Sequence, residues 1–180
     1  MARRLAMGIA RQGPDGPEIW IRGPVGGAVP PRAERGQVRA GTRRFAWVAT
    51  HGGAGTSTLA TVFGGQDAGR DWPRSERDES WSVLLVGRTH ATGLEAVSYT
   101  LDIFRRGEAP PGLDLEAVVL VADAPGRLPR PLAQRVKALA SVVDVHQVPW
   151  VPAWRIGDLG AEPPRESTAL ARLTASAVRP

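Results

Sequence analysis

The sequence predicts an α/β domain: a small parallel sheet of about four strands with flanking helices, behind a Gly/Pro-rich N-terminal arm. Three observations predict it. Short apolar runs rich in β-branched residues alternate with stretches of helical periodicity from Arg44 onward. A glycine-rich turn directly follows the first apolar run. The connections are long enough for crossover helices, and right-handed crossovers then place helices on both faces of the sheet.

The elements follow in order. Residues 1–43 read as an arm or linker, with Gly and Pro dense between Gly13 and Gly36 and no apolar periodicity. Within it, Pro17 to Arg22 alternates in a β-prone pattern around Trp20, either as a strand that pairs with a sheet edge or partner, or as a loop with one exposed tryptophan. Residues 44–155 form the α/β domain. Phe45 to Thr50 is a buried strand, and Ser57 to Phe63 is a helix stopped by Gly64-Gly65. Residues 66–80 are polar and of mixed charge, the composition of a surface loop. Val83 to Val86 is a second strand. Thr92 to Arg106 is a helix with Leu94, Val97, Leu101 and Phe104 on one face. Val118 to Val121 is a third strand, Pro131 to Ala140 a helix with proline at its start, and Ser141 to Gln147 a short edge strand. Val148 to Arg155 reads as extended. Residues 156–180 are a C-terminal loop with Pro163-Pro164 and an Ala/Leu-rich helix from Glu166 to Val178.

Composition narrows the function. The chain has no cysteine, so disulfides and thiolate metal sites are excluded. His51, His90 and His146 are scattered without ligand spacing, and no metal is expected. No stretch approaches the roughly 20 apolar residues of a membrane helix, and the expected compartment is the cytoplasm. The net charge is +5, with one lysine, Lys137, among 23 Lys and Arg residues. GC-rich coding explains that excess of arginine as well as a nucleic-acid surface does, and no basic stripe is interleaved with aromatics.

The segment with chemistry is His51-Gly52-Gly53-Ala54-Gly55-Thr56-Ser57-Thr58, between the first strand and the first helix. A glycine turn at a helix N-terminus directs backbone N–H groups at an anion, and Ser57 and Thr58 add hydroxyls. The stretch from Trp47 to Ala60 resembles the deviant Walker A region of the ParA/MinD-type P-loop ATPases of the SIMIBI class. It is also similar to uncharacterised actinobacterial mobile-element proteins with an altered loop. The resemblance covers residues 44–155. It extends to Val83–His90 with Gly93-Leu94, to Val119–Ala122 as the strand of base recognition, and to Val148–Pro152 as the family's proline-marked segment.

The resemblance implies ATP and magnesium at the loop, with Ser57 as the magnesium-side hydroxyl. It places His51 and Thr56 where the family has lysines. It also implies two strands between the first helix and Val83, including the strand with the magnesium-linked aspartate. Fewer than about 20 residues stand there, and that block reads as deleted, which leaves the first strand at or near a sheet edge that residues 18–22 or a second subunit would cover. Thr56 cannot supply the cation that phosphoryl transfer needs, and His51 supplies one only when protonated. Arg88, in a neighbouring strand-end turn, is either a substitute cation or a solvated turn residue. Asp123 is a magnesium-linked aspartate, a base-recognition residue or the cap of its Pro-Gly turn. His90 is a strand-end polar residue or a base, and His146 is structural. Trp150 and Trp154 either anchor a partner or pack the C-terminal segment on the sheet. No nucleophile-elbow spacing is present, so a hydrolase triad is not expected.

Three functions compete at this level. The first is a non-hydrolysing pseudo-ATPase scaffold or regulator that binds a protein partner or its own copy, with no cofactor. The second is an ATP-binding switch with Arg88 as substitute cation. The third is a DNA-associated accessory protein working through its arginines.

Overall fold

The computed structural model describes residues 44–74 and 80–178. The arm of residues 1–43, with Trp20, lies outside the described residues. Five parallel strands form one sheet in the order β2-β1-β3-β4-β5. They are β1 (Arg44–Ala49), β2 (Gln66–Asp67), β3 (Trp81–Arg88), β4 (Leu113–Val121) and β5 (Val145–Val148). The helices are α1 (Thr56–Phe63), α2 (Ala91–Arg105), α3 (Arg130–Ala140), the single turn α4 (Pro152–Arg155) and α5 (Thr168–Val178), the last preceded by a 3-10 turn at Arg165–Ser167.

The α/β expectation holds, with a fifth strand added. Residues 66–80 are not all surface loop. Gln66 and Asp67 pair with Ala46 and Trp47, and the pairing continues as Ala68 N donates to Trp47 O (3.0 Å) and Ala49 N to Gly69 O (2.6 Å). The free side of β1 is therefore covered by the chain itself along these residues, and this cover needs neither residues 18–22 nor a second subunit. The segment from Val148 to Arg155 is not wholly extended either: Pro152 opens the α4 turn, where its missing N–H costs nothing.

Strands buried on both faces read as continuous apolar runs, and β1, β3 and β4 do so. Alternate residues divide between two cores. On one face Trp47, Leu84, Val86 and Val119 pack with Leu59 of α1 and Leu170 of α5. On the other face Val48, Leu85, Val118 and Leu120 pack with Leu94, Val97 and Leu101 of α2 and with Val136 and Leu139 of α3. Trp72 and Phe104 meet edge to face beside this second core (5.3 Å). Trp47 is fully buried, and its Nε1 donates to Gly64 O (2.7 Å), tying the end of α1 to the sheet.

The strand order fixes where a site forms. From β1 the chain moves outward to β2, then returns to β3 on the other side and proceeds to β5. The order therefore reverses at β1, and open α/β sheets bind ligands at the carboxyl ends of strands at such a reversal. The glycine loop stands at that point.

Candidate functional site

The loop runs from Thr50 to Gly55 and feeds α1. Gly53 and Gly55 take positive φ of 74° and 109°, a region that side chains rarely adopt. Gly55 is the N-cap of α1 and no side chain caps the helix there, so the first N–H groups of α1 lack a capping partner. Gly52 has open space around it. Ala54 is buried in the first core and anchors the turn.

His51 is held by both ring nitrogens. Its Nε2 accepts from the backbone N–H of Arg88 (3.0 Å), and its Nδ1 lies 2.9 Å from Gly52 O. Arg88, at the end of β3, sends its side chain back over the loop. Nε donates to Gly53 O (3.1 Å) and Nη1 to Ala122 O (3.0 Å), so one guanidinium ties the loop to the end of β4. Burial, and after it the charge of Arg155, pushes this guanidinium below its ordinary value, while Asp123 pulls the other way.

Thr56 is buried, and Ser57 donates to Asp67 Oδ2 (2.5 Å). Asp67 also accepts from Gly69 N (2.9 Å) and from the Thr56 hydroxyl. Burial raises the carboxyl's affinity for its proton, but the three hydrogen bonds outweigh that and hold it below the usual carboxylate range. Sequence reasoning missed Asp67. Its only signal is an acidic residue two positions beyond the glycine stop of α1. The two-residue strand β2 places it beside the loop hydroxyls.

The other candidates take separate places. His90 is the N-cap of α2: its Nδ1 accepts from Gly93 N (3.0 Å) and lies 2.9 Å from the Thr92 hydroxyl. Its ring is 5.2 Å from that of His51. Asp123 follows β4, where its N–H donates to Thr89 Oγ1 (3.1 Å), and the hydroxyls of Thr56 and Ser57 bond to Asp67. His146 sits within β5, opposite Val119. Thr58 lines a cleft of about 130 Å³ with Gly55, Arg88, Trp150, Trp154 and Arg155. Arg155 stacks over the Trp150 ring at 4.7 Å. Trp154 packs edge to face on Phe63 (6.4 Å) against the first core, and its buried Nε1 has no hydrogen-bond partner. A broader groove of about 560 Å³ continues past Asp123, Pro149 and Trp150. Among the described residues no His, Asp and Glu cluster is arranged to hold a metal ion, and no helix is long and apolar enough to cross a membrane.

Residues 45–173 match the model of a family of unknown function, DUF6668, and the chain belongs to that family. No curated protein and no solved structure matches it.

Proposed function

We propose that this DUF6668 member is a non-hydrolysing, P-loop-like scaffold or regulatory protein. It acts through contacts with a protein partner or a second copy, in a transfer, secretion or partition system of mobile elements. One observation carries the reading: the side chains that the loop would direct at a triphosphate are engaged within the protein. His51 accepts from the Arg88 amide. Thr56 and Ser57 bond to Asp67. The Arg88 guanidinium joins Gly53 to Ala122. Phosphoryl transfer depends on cations aimed at the charge that develops on the transferred group, and loss of such a group typically costs several kcal/mol of transition-state stabilisation. A buried threonine and a hydrogen-bonded imidazole do not replace it.

A second reading, an ATP-binding switch, is favoured by the uncapped N-terminus of α1 beside a cleft flanked by Arg88 and Arg155. Calorimetric titration with ATP and magnesium separates the two. The scaffold reading expects no saturable heat and no rise in melting temperature up to millimolar ATP. Saturable heat with a thermal upshift would replace it with the switch.

A further inference from the structure

We infer that His51 is a neutral hydrogen-bond latch that positions Arg88 on the glycine loop, and that protonation of His51 releases it. The Arg88 amide is a donor, so His51 Nε2, 3.0 Å away, presents its lone pair. Gly52 O is an acceptor only, so His51 Nδ1, 2.9 Å away, carries the hydrogen. The two contacts together select one neutral tautomer. Arg88 is thereby attached to the loop twice, by its main chain through His51 and by its side chain through Gly53 O.

The surroundings leave little room for a change. A Cβ on Gly93 of α2 would sit 3.1 Å from His51 Nε2, so the helix start is pressed on the latch. The titratable and charged groups facing His51 are His90 from α2 and Arg88 from β3, with Arg155 of α4 and then Asp123 after β4 acting on Arg88. His90 is itself an acceptor at Nδ1, where Gly93 N donates. Among the described residues no carboxylate hydrogen-bonds to either ring. A proton on His51 Nε2 turns the acceptor into a donor that faces another donor, and it adds a further cation, on top of Arg155, beside the Arg88 guanidinium. Imidazole is the side chain whose ordinary charge change falls between about pH 5 and 8.

The test uses the full chain, isotopically labelled and without ligand. Long-range proton–nitrogen spectra at about pH 8 should show His51 as the Nδ1–H tautomer. The Arg88 amide and Nε–H signals should then shift with the His51 midpoint as the pH falls. His51→Gln offers an amide oxygen in place of Nε2 and should flatten that response. His51→Lys, cationic throughout, should raise Arg88 amide exchange at about pH 8 roughly fivefold or more, the factor for one ordinary hydrogen bond. An Nε2–H tautomer at that pH would overturn the latch. So would Arg88 signals that ignore the His51 midpoint, or that titrate alike in His51→Gln. If His51→Lys fails to fold, the wild-type titration and His51→Gln decide. The inference goes beyond the proposed function: the spectra are read without nucleotide, so the latch can fail while the scaffold stands, and the reverse.

Discussion

Gly93→Ala tests whether the loop's geometry depends on close approach of α2 to the end of β3. An alanine there would place its Cβ 2.4 Å from Arg88 O, and 3.1 Å from both the Arg88 carbonyl carbon and His51 Nε2. Ordinary van der Waals contact begins at about 3.5 Å, so the helix must retreat by about an ångström. The obstructing oxygen belongs to the backbone beside the paired end of β3, and no flexible side chain can turn aside. Overpacking costs about 1–3 kcal/mol, and a clash with backbone that cannot turn aside falls at the upper end, about 2–3 kcal/mol. Alanine is the better helix former by about 1 kcal/mol, which leaves a net loss of about 1–2 kcal/mol. For a domain of this size that lowers the melting temperature by about 3–8 °C. Gly52→Ala is the internal control: nothing lies within 4 Å of its added Cβ. That variant should stay within about 0.5 kcal/mol of the parent. Differential scanning calorimetry of the three proteins reads both. If Gly93→Ala melted together with Gly52→Ala and the parent, the close approach would be wrong, and with it the placement of His51 against Arg88.

Trp47→Phe removes the donor to Gly64 O and part of a fully buried ring. A loss of about 2–3 kcal/mol in urea unfolding is expected, and a loss below about 0.5 kcal/mol would contradict the tie between α1 and the sheet. Arg88→Lys cannot reproduce the paired contacts to Gly53 O and Ala122 O. It should cost about 1–2 kcal/mol, and an unchanged midpoint would show that the guanidinium does not hold the loop. Asp67 has a depressed carboxyl pKa, so its contribution is present above the unfolded carboxylate value of about 3.9 and is lost as pH falls below it. Stability measured from about pH 5 downward should therefore fall less steeply in Asp67→Asn than in the parent; equal slopes would remove the hydrogen-bonded carboxylate from the account.

The parts of the fold legible in the sequence are those that burial writes into composition. The strands at Phe45, Val83 and Val118 are covered on both faces and read as uninterrupted apolar runs. The helix expected from Thr92 to Arg106 is observed one residue earlier, because His90 caps it. The short elements were illegible for physical reasons. Two exposed polar residues, Gln66 and Asp67, carry no periodicity, and only the neighbouring β1 makes them a strand. The edge strand begins at Val145 and not at Ser141, because Ser141 to Val143 continue hydrogen bonding to the end of α3.

In the site, the glycine turn was legible because positive φ demands glycine at Gly53 and Gly55. The roles around it were not, since they depend on contacts across the sheet. The Ser57–Asp67 bond needs β2 laid beside β1, and His51 and Arg88 meet across 37 positions of sequence. His51 stands where the resemblance has a lysine, which invites an electrostatic role. Its ring nitrogens are instead engaged with the Arg88 amide and the Gly52 carbonyl.

The most direct test of the central claim, a glycine turn retained in a chain that carries out no phosphoryl transfer, is release of inorganic phosphate from ATP and magnesium by the purified chain. The account predicts release no faster than in protein-free buffer, and the same trace for Ser57→Ala. Steady turnover by the parent, abolished in Ser57→Ala, would contradict it.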